Sequence, residues 1–248
     1  MTPEPPKPEP LKAVLLDIDG TVRQKGAPIP GAVETLQFLS DRGLRVCFLT
    51  NTTLRSSAEV ASGLAALTKG GSGDFLMPAL AARNILAARG LKRVALFGAP
   101  CLQKDLAAFE IDQDNPEAAI LGDVSGPTLG DQLDAVLALL MRGIPCLALH
   151  GNLIGARGDG VGLDLGAFVV ALERASGKNL EIVGKPSPLF FQEALRVVGA
   201  ARLGLHAFAV RTGKYEASGP HPDAIAPERV LASIADLPAA LEEMGLLA

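Results

Sequence analysis

The chain of 248 residues contains no Trp, a single Tyr, three Cys and three His. The near absence of flat polar aromatics, with a formal net charge of -4, argues against nucleic acid as a partner, because that class needs basic tracks and stacking platforms. Cys47, Cys101 and Cys146 are odd in number, lie in or beside apolar segments and lack metal-ligand spacing. Free buried thiols in a reducing, cytoplasmic setting are the expectation. Long apolar runs are missing too. The mean hydropathy of +0.30 comes from Ala and Leu spread along helical stretches, and no run approaches the roughly 18 residues of a membrane span. Residues 1–10 carry Pro3, Pro5, Pro6, Pro8 and Pro10 without the apolar core of a secretory signal, and are expected to be a disordered tail.

Acidic residues are placed unevenly, and one pair stands out. Asp17 and Asp19, in Asp17-Ile18-Asp19-Gly20-Thr21, directly follow the apolar run Ala13-Val14-Leu15-Leu16. A short apolar run of this kind reads as a strand of a parallel sheet, whose active sites lie beyond the strands' carboxyl ends. Gly20 lets the backbone turn and re-aim the second carboxylate. A second strand-like run, residues 45–49, ends in Thr50-Asn51-Thr52-Thr53 ahead of a helical stretch at 56–67. Hydroxyls and amides at a strand-to-helix junction suit phosphate, although Thr and Asn are also ordinary helix caps. A third segment, Val183-Gly184-Lys185-Pro186-Ser187-Pro188, places Lys185 after a short apolar run and before a helix near Leu189. A fixed ammonium there offsets charge on a carboxylate and a phosphoryl group.

Alternation of strand and helix continues through the middle of the chain. Helices are predicted at 78–89, 102–109, 129–142 and 166–176, with strands at 94–97, 118–121 and 146–149. This pattern implies an α/β fold with parallel sheets under helical cover. The glycine cluster at 70–73 reads as a passage between domains. The expected organisation is a discontinuous core of residues 11–75 and 183–248 with an inserted α/β cap at 76–182.

Taken in order, Asp17-Ile18-Asp19-Gly20-Thr21, Phe48-Leu49-Thr50-Asn51 and Gly184-Lys185-Pro186 resemble the motifs of the haloacid dehalogenase-like superfamily. The chain looks like the NagD-like branch, with a large cap between the second and third motifs. The stretch from Gly162 to Phe168, with Ala171-Leu172-Glu173, is similar to the phospholysine phosphohistidine inorganic pyrophosphate phosphatase group. The resemblance implies a Rossmann-like core and hydrolysis of a phosphate monoester, phosphoramidate or pyrophosphate. It makes Asp17 the nucleophile and Asp19 the acid and base, with Thr50 and the Asn51 backbone on the phosphate and Lys185 balancing charge. It also implies Mg2+ held by the Asp17 carboxylate and the Asp19 carbonyl. Arg157, in the loop 150–159, is the candidate contact for a second anionic group of a small phosphorylated substrate. A homodimer through the cap is compatible with this branch.

The chain departs from the family at one place. Such proteins carry a further strand after the lysine-motif helix, ending in acidic residues that complete the metal site. Here no acidic residue occurs between Glu193 and Glu216, and the sequence runs from the helix directly into residues 207–210. That segment is expected to join the sheet of the Asp17 strand in place of the missing one. Asp123 and Asp223 offer no convincing replacement ligands. A catalytically impaired protein that binds phosphometabolites or protein partners is therefore the alternative to an active phosphatase.

Overall fold

The computed structural model describes residues 10–65, 67–68, 73–157, 160–199, 205–212 and 229–247, excluding the side chains of 156 and 157. The chain divides into two compact units. The first comprises Met1–Leu49, Ala61–Phe75 and Ala194–Ala248, and the second Thr50–Val60 with Leu76–Glu193.

In the first unit, β1 (Ala13–Asp17) and β4 (Arg45–Leu49) run parallel, with Asp17 opposite Leu49. A third strand, β5 (Asp74–Leu76), completes the order β1-β4-β5. Cys47, Phe48 and Leu49 are buried, whereas Ala13, Val14 and Leu15 of β1 are only half-buried. The central strand is thus β4. Among the described residues β1 is paired on one side only. Helix α1 (Ala32–Asp41) is held to the C-terminal elements by Thr35, whose hydroxyl donates to the Ile234 carbonyl at 3.2 Å, and by the Arg42–Glu242 ion pair at 2.9 Å. Between β1 and α1 lies a small hairpin of β2 (Arg23–Gln24) and β3 (Ala27–Pro28).

The expected sheet position of residues 207–210 is not what the structure shows. Only Ala209–Val210 (β13) is strand, and it pairs in parallel with Val230–Leu231 (β14) in a separate two-stranded ladder. The amide of Arg211 extends that ladder to the Leu231 carbonyl at 2.9 Å. Backbone groups engaged there satisfy the hydrogen-bonding requirement without β1.

The second unit is built on a five-stranded sheet in the order β12-β9-β8-β6-β7. Its members are β6 (Arg93–Phe97), β7 (Glu110–Ile111), β8 (Ala118–Leu121), β9 (Cys146–Ala148) and β12 (Glu181–Ile182), all parallel. Every residue of β8 and β9 is buried, as continuous apolar strands of a covered parallel sheet should be. Helices α3 (Pro78–Ala88), α5 (Leu129–Met141) and α6 (Leu165–Ser176) follow the predicted stretches to within a residue or two. The helix predicted at 102–109 is instead a single turn, α4 (Leu102–Asp105). Its last residue, Asp105, is buried and accepts bonds from the Ser57 amide and hydroxyl, and the chain then turns into β7. An antiparallel hairpin of β10 (Ile154–Arg157) and β11 (Gly160–Leu163) precedes α6.

Candidate active site

In the first unit the chain leaves β1 in a tight turn. The amides of Thr21, Val22 and Arg23 all donate to the Ile18 carbonyl, and the Gly20 amide donates to the Arg23 carbonyl at 2.7 Å. Gly20 has φ 91°, a left-handed conformation that a side chain at this point would strain. The Asp17 carboxylate accepts the Ile18 amide at 2.8 Å, which fixes its rotamer at the strand end. Asp19 accepts two bonds from Arg23, at 3.2 Å from Nε and 3.0 Å from Nη2. The Asp19 side chain is 67% exposed, so this pair contributes about 0–1 kcal/mol and leaves the carboxylate accessible. Arg23 was not singled out from the sequence. Its signal was an opposite charge four residues from Asp19, which the turn after β1 brings together. The hydroxyl of Thr212 donates to the Gly20 carbonyl, tying the C-terminal part of the chain to the turn.

The second motif begins the second unit. Thr50 is buried, its amide bonded to the Leu76 carbonyl at 3.2 Å and its hydroxyl accepting the Thr52 amide at 3.1 Å. The Asn51 carboxamide grips the third motif through two bonds. Its Nδ2 donates to the Lys185 carbonyl at 2.9 Å, and its Oδ1 accepts the Lys185 amide at 2.8 Å. Gly184 makes this approach feasible, because a Cβ there would lie 2.3 Å from the Leu149 carbonyl oxygen and 2.8 Å from Asn51 Oδ1. The Asn51 side chain is therefore a strut between motifs, leaving its backbone for any ligand. Ser56 caps α2 (Ser57–Ala65), exchanging bonds with Glu59.

One polar cluster follows strands β8 and β9. Asp123 accepts the Thr53 hydroxyl and faces His150 Nε2 at 3.3 Å. The Asn152 amide donates to His150 Nδ1 at 3.4 Å, so the imidazole proton sits on Nε2 and is given to Asp123. Asp164, which accepts the Leu165 amide at 3.0 Å as cap of α6, has a carboxylate oxygen within 4.8 Å of one of Asp123. Burial pushes the Asp123 carboxyl up, but the bonds from His150 and Thr53 outweigh it and hold the group below its ordinary value. His150 is 3% exposed and satisfied, the expected condition of a histidine at a strand end.

Asp123, His150 and Asp164 offer one ligand atom each within 4.8 Å of one another, the one such constellation among the described residues. Its chemistry does not suit Mg2+, which demands oxygen donors in near-ideal octahedral geometry. The His150 nitrogen facing the carboxylates also carries the proton. Arg157 closes β10 opposite Gly160, with its side chain outside the described set. Asp159, His221 and Asp223 lie outside the described residues, and His206 is exposed in a loop.

A family model for haloacid dehalogenase-like hydrolases matches residues 14–112. Over 228 residues the chain is 32% identical to the haloacid dehalogenase-like hydrolase domain-containing protein 2 of Mus musculus, covering 84% of this chain and 87% of that protein. Over 240 residues it is 32% identical to the phospholysine phosphohistidine inorganic pyrophosphate phosphatase of Homo sapiens, covering 85% and 87%. Its fold is shared with NagD from E. coli K-12, at a TM-score of 0.73 and 24% identity over 92% of this chain and 98% of that one. With a third of its residues shared across most of its length, this chain belongs to the haloacid dehalogenase-like hydrolases.

Proposed function

We propose that the protein is a phosphatase acting on a small phosphorylated molecule through an aspartyl-phosphate at Asp17. The observation that carries this reading is the Asp17-Ile18-Asp19 turn at the carboxyl end of β1, in a chain whose relatives include a phosphatase by name. Asp17 attacks phosphorus and the bond to the leaving oxygen breaks. Asp19 gives that oxygen a proton, then takes one from the water that cleaves the acyl phosphate. Thr50 and the Asn51 amide hold phosphoryl oxygens, Lys185 offsets negative charge, and Arg157 pairs with a second anionic group of the substrate. The Asp17 carboxylate and the Asp19 carbonyl would hold Mg2+, which would supply neutralisation of charge on the phosphoryl group. Residues 76–182 act as the cap that selects the substrate.

Asp17→Asn tests the mechanism. Wild-type turnover of an aryl phosphate that vanishes in the variant supports it, and equal turnover in both refutes it. A second reading, phosphometabolite binding without turnover, is favoured by the absence of acidic residues between Glu193 and Glu216. Saturable phosphate binding by a wild type with no hydrolysis of phosphate esters or pyrophosphate would select it.

Two wider features complete the proposal. The hairpin β10–β11 presents Ile154 directly opposite Leu163, with Val161 two residues along on the same face, at 63%, 61% and 77% exposure. An apolar strip of this kind supports self-association through the cap. Cys47, Cys101 and Cys146 are free thiols, which supports a cytoplasmic location. No helix among the described residues is long and apolar enough to cross a membrane.

A further inference from the structure

Within the second unit, one carboxylate joins two segments that the proposed function uses for different tasks. Thr50-Asn51-Thr52-Thr53 carries the phosphate-binding groups, and the stretch from His150 to Asp164 contains the hairpin and Arg157. Asp123, just beyond β8, contacts both: it accepts from Thr53 on one side and from His150 on the other, with Asp164 against it. We propose that Asp123 is a positioning residue that ties the phosphate loop to the substrate-selecting segment, so that ordering of one is ordering of the other. The inference rests on the phosphatase reading for what the two segments do, but not for their physical linkage.

The chemistry of the junction requires a carboxylate. Asp123 faces the Thr53 hydroxyl and the Nε2–H of His150, and only an acceptor can receive both. An amide in the same volume would set an N–H against one of these donors. Thr53 and His150 are 1% and 3% exposed, so water cannot readily replace a broken bond. The loop is also held at its other end, where the Asn51 carboxamide binds the Lys185 backbone. Two tethers, at residues 51 and 53, bracket the short span between them. The same junction reaches the hairpin, since a Cβ at Gly155 would lie 3.0 Å from the Asp164 carboxylate.

The test uses hydrogen exchange on the full chain, with kinetics alongside. Asp123→Asn should raise amide exchange by roughly tenfold in both segments, residues 50–56 and 150–155, as expected for loss of a charge-assisted bond. Thr53→Val, which removes only one arm, should also loosen residues 150–155. Loosening confined to residues 50–56 in Thr53→Val overturns the coupling. In turnover of an aryl phosphate, the double variant should be no worse than the more damaged single one, and additive losses also overturn it. If wild type neither turns over nor binds phosphate, the phosphatase reading fails, while the exchange data still decide the linkage. A stoichiometric metal in the wild type that is lost in Asp123→Asn would replace the direct hydrogen bonds with a cation and sink the proposal.

Discussion

The side chain of Asn51 and the backbone of Lys185 face each other through two hydrogen bonds, 2.9 and 2.8 Å long, across 134 positions of sequence. The catalytic lysine candidate is thereby fixed at its main chain. Asn51→Asp keeps the acceptor but replaces the donor with a carboxylate facing the Lys185 carbonyl. The expected cost is about 1–3 kcal/mol in urea unfolding, with turnover reduced beyond what stability explains. A variant as stable and active as wild type would show that the clasp is incidental.

Magnesium should bind weakly to the free protein. Asp17 and Asp19 provide one carboxylate and one carbonyl, and Mg2+ gives up its waters reluctantly. A phosphate analogue supplies further oxygens, so each ligand should strengthen the other by linkage. Calorimetric titration of Mg2+ with and without the analogue measures this. Micromolar affinity in its absence would reveal another carboxylate at the site.

Asp19→Asn should lower turnover by on the order of 10²-fold or more if Asp19 handles the proton, since general acid and base help is worth that much. The loss should shrink for substrates with good leaving groups, which need little protonation. A uniform loss across leaving groups would assign Asp19 a different role, such as holding Arg23.

The apolar face of the hairpin predicts a concentration-dependent dimer. Val161→Lys places a charge on that face and should shift sedimentation toward monomer with little change in melting temperature. A wild type that stays monomeric at high concentration would remove the reason for the strip's exposure.

Thiol chemistry has a defined pH dependence. Burial pushes the Cys47 thiol up to about 12, with Asp74 adding to it, and burial alone does the same for Cys146. A folded state that holds these protons more tightly than the unfolded chain is stabilised below pH 9, and loses that stability as pH climbs from 9 toward 12. At pH 8 only about one in 10⁴ of such thiols is ionised. Ellman's reagent should therefore leave Cys47 and Cys146 unmodified in native protein and react with all three thiols after denaturation.

Most of the scaffold was legible in the sequence because buried parallel strands announce themselves as short apolar runs. The runs at 13–17, 45–49 and 118–121 became strands with those limits. Periodicity failed where a tertiary bond intervened: Asp105 reads as an ordinary helical residue, but Ser57 engages its carboxylate and the helix stops. It failed again at residues 207–210, where pairing with β14 depends on a partner some twenty residues away. Asp17, Thr50 and Lys185 stand out as candidates by their place after apolar runs. The strut function of Asn51 does not, because only the fold reveals which carbonyl a carboxamide meets. The Thr53–Asp123–His150 chain was hidden for the same reason.

A strand supported on one side opens more readily than one locked on both. Among the described residues β1 has β4 as its one ladder, and it carries Asp17 at its tip. Partial detachment of β1 would displace the nucleophile while the five-stranded sheet of the other unit stayed intact, a local opening below the threshold of global unfolding. On slow heating, loss of turnover should therefore run several degrees ahead of the melting of bulk helix, and recover on cooling. The working temperature would then follow the grip on β1, and the melting temperature the rest of the fold.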